Sequence, residues 1–220
     1  MPIPSNLDFV QAAAVPEVFL TAHDALLTQG RLGPGERVLI HAVGSGVGTA
    51  AAQIASAMGC AVLGTSRTAE KLEKASHLGM DIGIETSRED FAEAVAAHTG
   101  GAGVHVVLDL LGARALASNL KALALRGRLV VVGLLGGREA SLDLGMLLNK
   151  RLTVVGTTLR ARPIEQKIAA TRLFASQVVP WLERGVVRPV VDSVFPFASV
   201  REGHARLESN QAFGKVILKI

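Results

Sequence analysis

The chain has 220 residues, a formal net charge of +4, 49% hydrophobic content and 23 glycines, enough for one good core and far from the composition of a disordered segment. A single cysteine, Cys60, excludes a disulfide framework and a cysteine-based zinc cluster. The basic residues are scattered rather than gathered into a nucleic-acid surface, and no apolar run reaches the length of about 18 residues needed to span a bilayer. Met1 to Asp8 carry no basic segment followed by an apolar core, so no secretory signal is read there and a cytoplasmic location is expected, with neither membrane nor nucleic acid as partner.

Residues 1 to 33 read as an extended entry, Pro2 to Pro4, followed by two helices broken at Pro16 and ending near Gly30. From there β-branched runs alternate with helical patterns. Strands are predicted at Arg37 to His41, Ala61 to Thr65, Ile82 to Ile84, Val104 to Asp109, Arg128 to Val132 and Leu152 to Gly156, with helices at Gly48 to Met58, Ala69 to Leu78, Arg88 to His98 and Ala113 to Leu123. Val38-Leu39-Ile40 and Leu129 to Val132 are continuous apolar runs, as strands covered on both faces require. Alternation of this kind, with right-handed crossovers, predicts an α/β protein with a doubly wound parallel sheet of order 3-2-1-4-5-6. Beyond Pro163 a long helix to about Arg184 leads into a short strand, a helix at Val200 to Ser209 and a last strand from Lys215 to Ile220. The expected organisation is an entry segment over 1–30, a nucleotide-binding domain over 31–185 and a closing segment over 186–220.

The first strand runs straight into His41-Ala42-Val43-Gly44-Ser45-Gly46-Val47-Gly48-Thr49, and a helix follows at once. Small residues are needed where the backbone turns sharply, approaches a pyrophosphate and packs the helix close to the sheet, with free amides at the helix start facing the anion. A tight turn with no ligand has the same glycines, but the strand before and the helix after supply the context that confirms the motif.

The end of the second strand discriminates among nucleotides. An NAD or methyltransferase site places Asp or Glu there for the ribose hydroxyls. This chain offers Thr65-Ser66-Arg67-Thr68, with Lys71 one helical turn on and no acid before Glu70. Hydroxyls and cations suit the 2′-phosphate of NADPH. Arg67 and Lys71 could instead merely solvate a helix start, although cations are not what a helix N-terminus prefers.

The runs Val15 to Ala22, Leu32 to Ala42 and Ser45 to Ala51 resemble the zinc-free quinone oxidoreductase branch of the medium-chain dehydrogenases/reductases. The Ser-Gly-Val-Gly loop is similar to that of the p53-inducible quinone oxidoreductase subgroup. The likeness continues through Lys71-Leu72, Gly101 to Val104, Leu108-Asp109, Leu123 to Arg128, Gly133 to Gly137 and Gly214 to Leu218, covering nearly the whole chain. The resemblance implies that Ser45, Gly46, Val47 and Gly48 hold the pyrophosphate and that Ser66, Arg67 and Lys71 meet the adenosine phosphate. It likewise implies that Gly133, Leu134 and Leu135 border the nicotinamide ribose, that Leu111 is a further cofactor-binding residue, and that Thr158, Leu159, Gly214 and Lys215 return to the cofactor. Thr21 matches the place where the family presents a hydroxyl near the nicotinamide, and is otherwise an ordinary helix residue.

Two departures stand out. Thr86 takes the place of a tyrosine that often stacks near the adenine. The GroES-like domain that forms the other wall of the family's substrate cleft is absent, Met1 to Pro4 matching the point where it hands over to the nucleotide-binding domain, so the chain is expected to be truncated to the nucleotide-binding half.

By resemblance the reaction is a hydride transfer from NADPH to a quinone or other α,β-unsaturated carbonyl, in a homodimer and without a metal. The histidines His23, His41, His77, His98, His105 and His204 show no ligand spacing, and no general acid can be named. The rival readings are a non-catalytic NADPH-binding module and, less favoured by the missing acid after the second strand, an S-adenosylmethionine-dependent methyltransferase.

Overall fold

The computed structural model describes residues 2–220. The chain enters through α1 (Phe9–Ala13) and α2 (Pro16–His23). Asp8 and Gln11 form a capping box on α1, each side chain accepting the other's backbone N–H. Pro16 opens α2, where its missing N–H has no helical partner to lose. Instead of ending regularly, α2 widens into a π-helical turn over Asp24–Gln29.

The central layer follows as β1 (Arg37–Ile40), α3 (Gly46–Ala57), β2 (Ala61–Ser66), α4 (Ala69–Ser76), β3 (Ile82–Glu85), α5 (Phe91–His98) and β4 (Val104–Asp109). A 3-10 turn at Gly112–Ala115, α6 (Leu116–Ala122), β5 (Leu123–Val131), α7 (Leu144–Lys150) and β6 (Thr153–Gly156) complete it. All six strands run parallel in the order β3-β2-β1-β4-β5-β6, as the alternating pattern predicts. Successive strand residues face opposite ways. Val38, Ile40, Val62, Val106, Leu108 and Val130 therefore pack with α2 and α3, and Leu39, Leu63, Val107 and Leu129 pack with α5 and α6.

Three local differences from the sequence expectation have physical causes. β5 begins at Leu123, five residues before the predicted Arg128, because Val104 pairs with Leu123 and the register then shifts so that Val106 pairs with Arg128. Arg126 absorbs the irregularity at φ 61°. The predicted helix from Ala113 is accordingly shorter and starts with the 3-10 turn. The long helix predicted to Arg184 is split into α8 (Ile164–Gln177) and α9 (Val179–Glu183), with Pro180, which has no N–H to continue the ladder, in the first turn of α9.

The closing segment forms β7 (Val191–Pro196), α10 (Val200–Glu208) and β8 (Lys215–Lys219). β7 and β8 pair parallel to each other and lie outside the main sheet. The Gly214 amide donates to the Gly44 carbonyl at 3.0 Å, and Gly214 bridges to Ser45. This contact brings Lys215 against the glycine loop.

Candidate functional site

A cavity of about 590 Å³ opens at the carboxyl ends of β1, β2 and β4, where an open α/β sheet changes winding direction and takes its ligands. Its floor is the start of α3. Ser45 caps that helix, its hydroxyl accepting from the Gly48 amide at 3.0 Å, so the amides of Gly46 and Val47 have no helical carbonyl to bond and face an incoming anion. Only glycine fits at two of these positions. A Cβ on Gly48 would lie 2.5 Å from the Ala42 carbonyl oxygen and 2.6 Å from that of Val43, and one on Gly46 would lie 2.8 Å from Lys215 Cδ and 2.9 Å from Val18 Cγ1.

At the adenosine end β2 delivers Thr65, Ser66 and Arg67, facing Lys71 and Thr86. Ser66 is buried; its hydroxyl accepts from the Thr68 amide at 3.3 Å, leaving its own hydrogen to donate. Arg67 is exposed, and neither it nor Lys71 takes part in any ion pair among the described residues. The Lys71 ammonium donates to the Asn210 carbonyl at 2.6 Å. Burial and the neighbouring charges of Arg67 and Arg206 push its pKa down.

Of the residues that the sequence points to, the cavity gathers Ser45, Gly46, Val47, Ser66, Arg67, Lys71, Leu111, Leu135, Gly214 and Lys215 on its walls. Gly48 lies just beneath, in the packing between α3 and the strand. Gly133, Leu134, Leu159 and Thr21 are not among the lining residues. Thr158 lines a second cavity of about 490 Å³ together with Asp24, Thr157 and Arg162. There the Asp24 carboxylate accepts from Arg162 at 3.0 and 2.5 Å and from the Thr157 hydroxyl at 2.8 Å. The wall also contains Val18, Arg114, Leu207 and Asn210, which sequence reasoning misses.

The lining contains four cations, Arg67, Lys71, Arg114 and Lys215, and no Asp or Glu. Together with the glycine loop and the sheet order, this defines a Rossmann-type nucleotide-binding domain. Residues 46–176 match the family described as zinc-binding dehydrogenase. Over 218 residues the chain is 32% identical to a quinone oxidoreductase from Rattus norvegicus, covering 99% of this chain and 64% of that protein. Among solved structures, an NAD-dependent alcohol dehydrogenase superposes over all of this chain and 61% of its own length, with TM-score 0.89 and 35% identity. The Escherichia coli quinone oxidoreductase complexed with NADPH superposes with TM-score 0.86 and 30% identity, over 100% of this chain and 68% of that one. The chain belongs to the zinc-binding dehydrogenase family of the medium-chain dehydrogenase/reductase superfamily, and within it is quinone oxidoreductase-like. It spans less than two thirds of the rat relative, 64%.

No three His, Cys, Asp or Glu side chains among the described residues come together in a way that could hold a metal ion. No helix among them is long and apolar enough to cross a membrane.

Proposed function

We propose that the cavity binds NADPH and that the chain is the nucleotide-binding part of an oxidoreductase acting on a quinone or another α,β-unsaturated carbonyl. The observation that carries the reading is a lining with four cations and no carboxylate. A pyrophosphate plus a 2′-phosphate matches that charge, whereas the unphosphorylated ribose of NADH would be expected to meet an acid at the end of β2. S-adenosylmethionine, with its sulfonium, would meet the wrong sign. The cofactor, when bound, supplies the hydride.

This chain's own residues do the rest. The free amides at the start of α3 hold the pyrophosphate, helped by the positive charge of Lys215, whose side-chain stem passes beside Gly46. Ser66, Arg67 and Lys71 take the 2′-phosphate, Lys71 exchanging the Asn210 carbonyl for a charged oxygen. Val18, Leu110, Leu111 and Leu135 give the cavity its apolar lining.

The test is the fluorescence of NADPH added to the chain, followed by competition. Saturable enhancement, displaced by adenosine 2′,5′-bisphosphate and untouched by S-adenosylmethionine, is expected. Displacement by S-adenosylmethionine, or no saturable binding, would overturn the reading.

A further inference from the structure

Beneath the cavity lies a line of polar side chains to which binding, as derived above, gives no role. Asp109, at the end of β4, His41, at the end of β1, and Asn119, in α6, are all 0% exposed, and Thr65 is 2% exposed. Thr65 Oγ1 lies 2.9 Å from His41 Nδ1, and His41 Nε2 lies 2.7 Å from Asn119 Oδ1. Because the Asn119 oxygen can only accept, Nε2 carries the ring proton and Nδ1 takes the hydrogen of Thr65. Burial pushes the His41 pKa down, opposed by the Asn119 hydrogen bond and the charge of Asp109. Asp109 Oδ2 and Asn119 Nδ2 are buried with no hydrogen-bond partner. Burial raises the Asp109 carboxyl, opposed by the nearby His41 ring, the Leu111 and Gly112 amides and the Asn119 side chain.

What Asp109 does with its other atoms is specific. Its Oδ1 accepts from the Leu111 amide at 2.7 Å and the Gly112 amide at 3.1 Å. Its backbone carbonyl accepts from Val132 at 2.8 Å and Gly133 at 3.2 Å. The two loops so anchored, after β4 and after β5, are joined by Leu135 N–H to Leu110 O at 3.2 Å, Gly136 N–H to Leu111 O at 2.6 Å and Ala113 N–H to Gly137 O at 3.0 Å. The wall that Leu111 and Leu135 present to the cavity thus hangs from one buried residue. With adenosine at the end of β2 and pyrophosphate at α3, that wall faces the nicotinamide half of the cofactor.

We propose that Asp109 is a positioning residue that holds the loops after β4 and β5 as a preformed wall for the nicotinamide half of NADPH. The proposal rests on the cofactor reading above. A wall fixed before binding spares the cofactor the cost of ordering it, so loss of Asp109 should weaken the contacts of the nicotinamide half and leave those of the adenosine half unchanged.

Calorimetric titration of the chain with NADPH and with adenosine 2′,5′-bisphosphate, which lacks the nicotinamide half, separates the two. Asp109→Ala is expected to weaken NADPH by about tenfold, the loss of one charge-assisted anchor, and to leave the bisphosphate within about twofold. Asp109→Asn retains Oδ1 as an acceptor and should restore most of the NADPH affinity. Should Asp109→Ala fail to fold, Gly112→Ala decides. Gly112 holds φ 73° and its Cβ would meet the Gly137 carbonyl oxygen at 2.7 Å, so it distorts the same wall from outside the buried line and should show the same selective loss. Unchanged NADPH affinity in Asp109→Ala or Gly112→Ala overturns the inference, as does a parallel loss of both ligands, which marks a fold-wide effect. A wild-type chain that binds neither ligand overturns the cofactor reading, and this inference with it.

Discussion

Replacing Asp24 by Asn tests the second cavity as a structural clamp. The Asp24 side chain is 3% exposed and that of Arg162 16%, and the pair joins the π-helical turn after α2 to the segment after β6. Burial alone would raise the Asp24 carboxyl, but hydrogen bonds from Arg162 and Thr157 and the charge of Arg162 outweigh it and hold the pKa below the usual range. Asn keeps an acceptor for Thr157 and leaves the guanidinium without its counter-charge. Breaking a fully buried pair costs about 3–5 kcal/mol; because Arg162 can turn partly to water, about 2 kcal/mol is the better figure here. For a chain of this length that lowers Tm by about 4–8 °C. Since the folded pKa is depressed, the pair's stabilisation is present above the unfolded carboxylate pKa, about 3.9, and is lost as pH falls through the folded value. Urea melts of wild type, Asp24→Asn, Arg162→Gln and the double variant give the coupling directly. The wild type should lose stability more steeply than Asp24→Asn below about pH 4. Single variants that cost under about 0.5 kcal/mol, or whose effects simply add, would refute the reasoning.

Gly48→Ala places a Cβ 2.5 Å from the Ala42 carbonyl oxygen; overpacking should cost about 1–3 kcal/mol, read by thermal melting, and shift α3 enough to lower NADPH affinity about tenfold or more. Arg67→Ala should weaken NADPH about tenfold and leave NADH unchanged, while Lys71→Ala costs less because Lys71 must release the Asn210 carbonyl at 2.6 Å to reach a phosphate. Light scattering at micromolar concentration should show a dimer, since β6 is an edge strand with Val154 40% exposed and α7, just before it in the chain, exposes Leu144 and Leu148; a monomer would contradict pairing at that edge. If the part of the relatives beyond this chain supplies the other cleft wall, the isolated chain should oxidise NADPH with 1,2-naphthoquinone about a hundredfold more slowly than typical enzymes, and rates near about 10 per second would contradict that division of labour.

The sheet was legible because its central strands are buried on both faces: runs such as Val38-Leu39-Ile40 admit no other reading once helices alternate with them. The glycine loop was legible for a related reason, because steric demands at Gly46 and Gly48 leave one residue type. Short elements whose burial depends on distant partners were not. α7 exposes Leu144 and Leu148 and has no buried residue, so its apolar pattern carries no amphipathic signal; Asp143, whose carboxylate accepts from the Met146 amide at 2.9 Å, was the sign available. The early start of β5 depends on Val104 pairing with Leu123, a register no local pattern encodes. Within the site, Ser66 and Arg67 announce themselves by replacing an acid, whereas Leu207 and Asn210 reach the same wall only because Gly214 docks on Gly44. Asp109 reads as an ordinary strand end until its two amide bonds are seen.

Calorimetric titration of the wild-type chain with NADPH and NADH, at low and at physiological salt, tests the central claim most directly. Lys71 starts engaged and Arg67 is exposed to screening, so together they should favour NADPH by about ten- to thirtyfold at low salt, with the preference shrinking as salt rises. Equal affinities, or a preference for NADH, would mean that Arg67 and Lys71 solvate a helix and read no phosphate.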